Sequence, residues 1–256
     1  MTTLPTNTFK QALASGRPLA GLWCNFAFLP TVEALAHAGF DWLLLDMEHT
    51  QSNLDIVSTQ LLALRGTPSA AVVRVPSNDM AFIKRLLDAG TTNLMVPNIR
   101  SAAEAAEAVS YTRFAPEGLR GVAGSTRGGG YSRYKDYMAR ANDEIALVLQ
   151  IESREALDEL DAICHVPGVD AVFIGPSDLA ASLGHRGQPG HPVVQAAIGK
   201  AIATAKAAGK AVGILTVDGK GETYFEQGAT MVGVGSDLHL LVAAADALAA
   251  RFKRSA

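Results

Sequence analysis

The sequence predicts an α/β fold in which a single (β/α)8 TIM barrel takes up the whole chain. Eight short apolar runs alternate with Ala-rich segments of helical period, a pattern typical of a parallel sheet with helices outside it. The chain has 256 residues, which is the usual size of one such barrel. No low-complexity linker interrupts it, so we expect one domain over residues 1–256.

The predicted strands are the eight apolar runs, at 19–24, 42–46, 70–74, 93–97, 145–151, 170–175, 211–215 and 230–235. The predicted helices between and after them include 30–38, 78–87, 154–163, 193–208 and 237–250. The last of these is apolar over more than one face, so we expect it to be buried. A long insertion, 98–144, separates strands four and five, and such an insertion is either an active-site lid or a mobile surface loop.

Composition excludes several classes of function. A net charge of −3 gives no reason to expect nucleic acid or an anionic membrane as a partner. Cys24 and Cys164 have no metal-like spacing, and we expect buried, reduced thiols in a cytoplasmic protein. The first residues lack a signal-peptide pattern, and the apolar stretch near the end is shorter than the roughly 20 residues of a membrane span.

Polar residues cluster where the predicted strands end, which is the catalytic face of a β/α barrel. They are Asp46, Glu48 and His49 after strand two, Arg74 at the end of strand three, Gln150 and Glu152 at strand five, and Asp178 after strand six. Each alone has a structural explanation: a solvated charge for Glu48, for example, or a helix N-terminal carboxylate for Asp178. Their occurrence at one face of the barrel is what indicates an active site.

These residue types favour metal-assisted chemistry on a 2-oxo acid. Glu152 and Asp178 offer oxygen ligands only, which suits Mg²⁺ or Mn²⁺ and leaves positions for a chelating substrate. The ion would act as a Lewis acid that stabilises an enolate. Arg74 would neutralise charge on the enolate oxygen, and His49 would move the proton directly or through a water.

Five segments resemble the HpcH/HpaI family of metal-dependent class II pyruvate aldolases. They are GFDWLLLDMEHT from Gly39, VVRV from Val72, LLDAGTTNLMVPN from Leu86, LQIES from Leu149 and VFIGPSDLAASLG from Val172. The resemblance spans about 21–240 and points to the 4-hydroxy-2-oxoheptanedioate and 2-dehydro-3-deoxyglucarate aldolase type. It implies reversible cleavage of a 4-hydroxy-2-oxo acid to pyruvate, or a related 2-oxo acid, and an aldehyde. It also implies dependence on Mg²⁺, Mn²⁺ or Co²⁺.

The resemblance implies a role for each site residue. Glu152 and Asp178 match the metal ligands, Arg74 the arginine on the pyruvyl oxygen, His49 the base, Asp46 and Asp88 its supporting carboxylates, Gln150 a residue beside the metal, and the backbone around Ser177 the site of the substrate carboxylate. The family is usually a hexamer that exchanges its last helix between neighbours, so we expect a homo-oligomer. The loop GLRGVAGSTRGGGYSRY, from Gly118, varies in the family and leaves the aldehyde undefined.

Other functions stay open at this point. A lyase of the citrate-lyase-β or malyl-CoA type would need a basic cluster for CoA phosphates. A phosphate-binding barrel would bind phosphate at the loop 233–236 after strand eight. Asp237 directly follows this loop, and its negative charge makes the loop a poor phosphate site. A third alternative is a barrel that binds a 2-oxo acid without turnover. A Schiff-base aldolase would need a desolvated lysine on the catalytic face, where we find only Lys220, flanked by glycines.

Overall fold

The barrel predicted from the sequence is confirmed. The computed structural model describes residues 2–217 and 219–253, and in it eight parallel strands close into a barrel in chain order, with β8 hydrogen-bonded to β1. The strands are β1 Leu19–Cys24, β2 Trp42–Asp46, β3 Ala70–Arg74, β4 Asn93–Val96, β5 Ala146–Ile151, β6 Ala171–Ile174, β7 Ala211–Leu215 and β8 Met231–Ser236. Every bound agrees with its prediction to within one residue, because strands buried on both faces appear as continuous apolar runs.

The helices surround the barrel. They are α1 Thr8–Ser15, α2 Leu29–Leu35, α3 Leu54–Ala63, α4 Met80–Asp88, α5 Ala102–Thr112, α6 Tyr137–Arg140, α7 Arg154–Asp158, α8 Leu160–His165, α9 Pro176–Ser182, α10 Pro192–Ala207, α11 Gly221–Gln227 and α12 Asp237–Phe252.

Four of the predicted helices differ from those observed, either in number or by two residues or more, and the last of them ends at Phe252 rather than at residue 250. The single helix predicted over 154–163 is wrong: the chain turns at Glu159, where ψ is 1°, and forms α7 and α8. The second helix ends at Leu35 rather than at residue 38. The fourth begins at Met80 rather than at residue 78, because the Asp79 side chain accepts a hydrogen bond from the Phe82 amide at 2.8 Å and caps it.

Aromatic rings fill the interior of the barrel. Trp23, Trp42 and Phe173 pack mutually, with ring centroids 5.5 to 6.3 Å apart. Gly21 makes room for them, since a Cβ built there would lie 2.0 Å from the Trp42 ring. The interior is therefore a packed core, and the chemistry has to lie at one end of it.

The part of the long insertion beyond α5, residues 113–144, lies at the amino ends of the strands and does not cover the predicted catalytic face of its own barrel. It follows α5, which runs back from the carboxyl end of β4, so the chain beyond Thr112 emerges at the amino end. There Asp136 accepts a hydrogen bond from the Leu4 amide at 2.8 Å, and the Gly128 amide donates to the carbonyl of Asp88 at 3.1 Å. A lid formed by this segment over the site of the same chain is thus excluded.

The last helix, for which the sequence predicts burial, is not covered by its own chain. On α12 the side chains of Leu240, Leu241, Leu248 and Phe252 are between 50% and 76% exposed. In the described part of the chain, no helix is long and apolar enough to span a membrane. The apolar surface of α12 therefore needs another explanation, which we take up below. Both cysteines, in contrast, are buried and free as predicted.

Candidate active site

The centre of the site is an ion pair between the last residues of two neighbouring strands. Asp46 ends β2 and Arg74 ends β3, and the parallel register pairs them directly. The guanidinium donates from Nε to Asp46 Oδ1 at 2.8 Å and from Nη2 to Oδ2 at 2.6 Å. Both residues are buried. This bidentate geometry fixes the plane of the guanidinium as well as its position.

Three further groups hold Arg74. Its Nη1 lies 2.8 Å from Oε2 of Glu48 in an ion pair and 3.5 Å from Oε1 of Gln150. Its Cζ lies 5.1 Å from the centre of the Trp23 ring, within the range of a cation–π contact. The arginine therefore presents a fixed positive charge at the carboxyl end of the barrel.

Glu152 follows β5 and accepts two hydrogen bonds. The Gln150 amide donates to its Oε2 at 3.3 Å, and the backbone N–H of Asn98 donates to its Oε1 at 2.7 Å. Gly175 closes the other side of the carboxylate, and a Cβ built there would lie only 2.5 Å from Oε2. The structure thus forms a close-fitting cradle around this one carboxylate.

Burial and neighbouring negative charge disfavour ionisation of the carboxyls in this cluster. Burial is the main cause that raises the pKa of Glu152 from its ordinary 4.5 to about 7, and the charges of Glu48 and Asp178 add to it. Burial also raises the pKa of Glu48, opposed mainly by the charge of Arg74. Carboxylates held together in this way favour the binding of a cation between them.

Asp178 and Ser177 lie in the first turn of α9, directly after β6, and both are exposed to solvent. The charge of Asp178 acts on both Glu152 and Glu48, so it belongs to the same electrostatic cluster. The structure therefore brings both predicted metal ligands to the carboxyl end of the barrel, one buried and one open to solvent.

The predicted base, His49, lies in the turn after β2, and its side chain is 65% exposed. Its Nε2 is 3.8 Å from Oε2 of Glu48. The carboxylate closest to His49 is therefore that of Glu48. Asp46, which was expected to support His49, instead accepts hydrogen bonds from Arg74.

The expected pairing of Asp88 with His49 does not form within one chain. Asp88 is the last residue of α4, which begins after the carboxyl end of β3 and runs back to the amino end of β4. There its Oδ1 accepts a hydrogen bond from Nη2 of Arg120, in the insertion, at 3.0 Å. The direction of the helix places Asp88 at the end of the barrel opposite to His49.

A divalent metal fits the donor set, although the chain offers few ligands. Among the described residues, no group of three or more His, Cys, Asp or Glu side chains is arranged to bind a metal. The sequence predicts Glu152 and Asp178 as the protein ligands, and the structure has both at the carboxyl end of the barrel. Two oxygen ligands suit an ion that keeps water or substrate in its other positions. The raised pKa of Glu152 and its close cradle are the structural observations that agree with this.

Three residues of the site had no role assigned from the sequence: Glu48, Trp23 and Asn98. Glu48 was counted in the strand-end cluster but given no function, although its position between Asp46 and His49 after a buried strand was a usable signal. Trp23 is the next-to-last residue of β1, and an aromatic residue there adjoins the same face. Asn98 acts through its backbone N–H, which no sequence pattern reveals.

Comparison with known proteins gives one consistent result. Residues 19–244 match the family described as HpcH/HpaI aldolase/citrate lyase. A 4-hydroxy-2-oxo-heptane-1,7-dioate aldolase of Shigella sonnei is 50% identical over 248 residues, covering 96% of this chain and 95% of that protein. A 5-keto-4-deoxy-D-glucarate aldolase of Klebsiella pneumoniae is 48% identical, covering 97% of each.

A solved structure agrees with these relatives. The crystal structure of an HpcH/HpaI aldolase/citrate lyase family protein from Burkholderia cenocepacia superposes with a TM-score of 0.93 at 42% identity, covering 96% of this chain and 99% of that one. With its barrel, its strand-end cluster and these relatives, the chain belongs to the HpcH/HpaI aldolase/citrate lyase family.

Proposed function

We propose that this chain is a metal-dependent, class II aldolase that reversibly cleaves a 4-hydroxy-2-oxo acid to pyruvate, or a related 2-oxo acid, and an aldehyde. The observation that carries the proposal is the hydrogen-bonded line from Asp46 through Arg74 and Gln150 to Glu152. This line fixes a cation beside a carboxylate at one end of a barrel. Relatives of about half-identical sequence are named aldolases, which supports this carbon–carbon lyase over the citrate-lyase-β, malyl-CoA and non-catalytic alternatives.

The metal would be held by Glu152 and Asp178, and Mg²⁺, Mn²⁺ and Co²⁺ all suit oxygen ligands of this kind. Bound there, the ion supplies Lewis acidity toward the keto oxygen of the substrate. The cluster of carboxylates supports a cation at this place, since its positive charge would offset the burial and the neighbouring charges of Glu48 and Asp178 that raise the pKa of Glu152.

Side chains of the protein supply the remaining catalytic roles. In cleavage the proton of the 4-hydroxyl leaves, the bond between C3 and C4 breaks, and the electron pair of that bond passes into the enolate of the 2-oxo acid. A proton then adds to C3 of the enolate and gives the 2-oxo acid. We assign the proton transfer to His49 and stabilisation of the enolate oxygen to Arg74. The Gln150 side chain, hydrogen-bonded to both, fixes the positions of Arg74 and Glu152 relative to each other. The backbone N–H groups around Ser177 bind the substrate carboxylate.

The exposed α12 supports assembly with further copies of the chain. An apolar helix that its own barrel leaves uncovered is expected to pack against another protein. We therefore propose a homo-oligomer, and the family resemblance points to a hexamer in which α12 is exchanged between neighbours. Because Asp88 lies at the amino end of its own barrel, it can support His49 only across such an interface.

The partners are small molecules, and the compartment is the cytoplasm. Two free, buried thiols support a reducing environment. The names of the two aldolase relatives specify diacids, so a distal carboxylate is one candidate group on the aldehyde half of the substrate.

The test is release of pyruvate from a panel of 4-hydroxy-2-oxo acids, before and after chelation, with Mg²⁺, Mn²⁺ or Co²⁺ added back. We expect chelation to abolish release and a divalent cation to restore it. Glu152→Gln and Asp178→Asn should each remove it, because each deletes one of two protein ligands. Glu226→Gln, at an exposed position on α11, is the matched control and should behave as wild type. Full activity in excess chelator would refute the metal assignment.

The role of His49 has a separate test. We expect His49→Ala to lose most turnover, about 100-fold or more for a general acid–base, while calorimetric titration with Mn²⁺ still shows binding. Wild-type turnover of that variant would remove His49 from the mechanism.

A further inference from the structure

Glu48 is a partly buried carboxylate of the candidate active site that no step of the proposed mechanism uses. It lies two residues after the end of β2, and its side chain is 19% exposed. One of its oxygens, Oε2, lies 2.8 Å from Nη1 of Arg74 and 3.8 Å from Nε2 of His49. A single atom of Glu48 therefore lies between the two residues assigned to enolate stabilisation and to proton transfer.

The turn after β2 fixes the backbone at Glu48. The N–H of Glu48 donates a hydrogen bond to Oδ1 of Asp46 at 3.0 Å, and the hydroxyl of Thr50 donates to the backbone carbonyl of Asp46. The N–H of Met47 donates to the carbonyl of Arg74 at 3.0 Å and so continues the pairing of β2 with β3. Because these bonds hold the chain on both sides of Glu48, the fold determines where its carboxylate lies.

Arg74 does not need Glu48 to balance its charge. The carboxylate of Asp46 already accepts two hydrogen bonds from the guanidinium, at 2.8 and 2.6 Å, and both residues are buried. One carboxylate balances one guanidinium, so an ionised Glu48 adds a surplus negative charge to this pair. A partly buried surplus charge is costly unless a second cation compensates it.

His49 is the side chain that can supply this second cation. Among the described residues, the basic side chains within 4 Å of the Glu48 carboxylate are those of Arg74 and His49. In the same chain, Asp46 is bonded to Arg74, and Asp88 lies at the opposite end of the barrel. An imidazole that takes up a proton becomes a cation, and a nearby carboxylate stabilises that cation and restricts the orientation of the ring.

We propose that Glu48 is a positioning residue of the cleavage reaction. Its carboxylate orients the imidazole of His49 and balances the positive charge that His49 gains when it takes the proton of the 4-hydroxyl. Glu48 itself neither takes nor gives this proton, and it touches no substrate atom. The inference rests on the proposed aldolase function and adds to it a residue that acts through the base.

The first experiment compares Glu48→Gln with the wild-type enzyme at saturating Mn²⁺, on the 4-hydroxy-2-oxo acid of the panel that is cleaved fastest. Glutamine keeps the size of the side chain and an oxygen that accepts from Arg74, but it removes the charge. We expect kcat to fall by about tenfold and KM to stay within about twofold, because the charge acts on proton transfer after the substrate is bound.

Two controls exclude a simpler cause of this loss. Glu107→Gln removes a carboxylate at an exposed position on α5 and should keep the wild-type kcat. Calorimetric titration of Glu48→Gln with Mn²⁺ should show that the metal site is filled under the conditions of the assay. A kcat of Glu48→Gln within about twofold of wild type would overturn the proposal.

A double-mutant cycle with His49→Ala identifies the residue through which Glu48 acts. If Glu48 acts through His49, Glu48→Gln should change kcat by less than about twofold in the His49→Ala background. A second tenfold loss in that background would show that Glu48 acts through Arg74 or the metal site and would overturn the proposal. The comparison with wild type decides the question even where His49→Ala is too slow to measure.

The proposed function and the role of Glu48 fail in different ways. If the wild-type enzyme releases pyruvate from no member of the panel, the aldolase proposal falls and the role of Glu48 falls with it. If the wild-type enzyme is active and His49→Ala turns over equally fast, the role of Glu48 is overturned while the aldolase function stands.

Discussion

Arg74 and Asp46 end neighbouring parallel strands in register, and the guanidinium of one donates two hydrogen bonds, of 2.8 and 2.6 Å, to the carboxylate of the other. Glu48 and Trp23 hold the remaining edge and one face of the arginine. The pair is buried. Its role is to fix the position and orientation of the Arg74 guanidinium, since a buried ion pair by itself contributes little net stability.

Arg74→Lys is the informative substitution at this pair. Lysine keeps the charge but cannot form the planar, bidentate contact with Asp46. We therefore expect kcat to fall by about 100-fold, within the range typical for loss of a transition-state charge contact, while the urea midpoint moves little. Arg74→Ala should in contrast lower the free energy of unfolding by about 3–5 kcal/mol, because Asp46 is left buried and unpaired. Exchange of pyruvate methyl protons at the wild-type rate in Arg74→Lys would contradict the role in enolate stabilisation.

The raised pKa of Glu152 predicts a pH dependence of metal binding. With a pKa of about 7, the carboxyl holds its proton below that pH, and a cation must displace it. Affinity for Mn²⁺ should therefore be about tenfold weaker at pH 6 than at pH 8, measured by calorimetry. An affinity that does not change across this range would contradict the raised pKa of Glu152.

The same shift has a consequence for the metal-free protein. The folded-state pKa of Glu152 lies above the unfolded value, so the folded state keeps a proton that the unfolded chain releases first. Stability should therefore decline as pH rises from about 4 to about 7, and then level off. Glu152→Gln should flatten this part of the profile in chemical denaturation.

The parts of the molecule that could be predicted are those where one physical rule dominates. Strand bounds followed from burial on both faces, and adjacency of Asp46 and Arg74 followed from the meeting of strand ends at one edge. The topology also argues against Asp88 as a partner of His49, because a helix after β3 must return to the amino end. The role of Asp88 came from the resemblance to a family, and a resemblance assigns roles without saying which copy of the chain supplies each residue.

Other features depend on tertiary detail that a sequence does not carry. The partial burial of Glu48 depends on how one turn folds against Arg74, and the contribution of Asn98 is made by a backbone N–H. The apolar composition of α12 indicated that the helix is buried against another surface. The hydrophobic effect is non-directional, so composition does not identify which surface that is.

The exposed face of α12 predicts an oligomer. Multi-angle light scattering at micromolar concentration should give a mass several times that of one chain. Leu241→Arg, at a position that is 58% exposed, should lower that mass or raise the concentration needed for assembly, because it puts a charge into the proposed interface. Val193→Arg, 51% exposed on α10, is the control of similar exposure. A monomeric wild-type mass would contradict the proposed exchange of α12.

The positions of the lysines predict that no Schiff base forms with pyruvate. A Schiff-base lysine must be desolvated at the catalytic end so that its amine is neutral. Lys10 and Lys210 are held at the amino end, where Lys10 contacts Asp170 and Lys210 donates to the carbonyl of Val169 at 2.8 Å. Lys220, directly before α11, is on the catalytic side but is exposed to solvent.

Treatment with borohydride and pyruvate should therefore neither inactivate the enzyme nor increase the mass of the chain. Intact-mass spectrometry before and after treatment measures this, with a known lysine-dependent aldolase as positive control. Metal-chelated enzyme should give the same result, since loss of the cation does not create a nucleophilic amine. A covalent adduct at Lys220, or at any other lysine, would replace the metal-assisted mechanism and leave Glu152 and Asp178 without the role proposed for them.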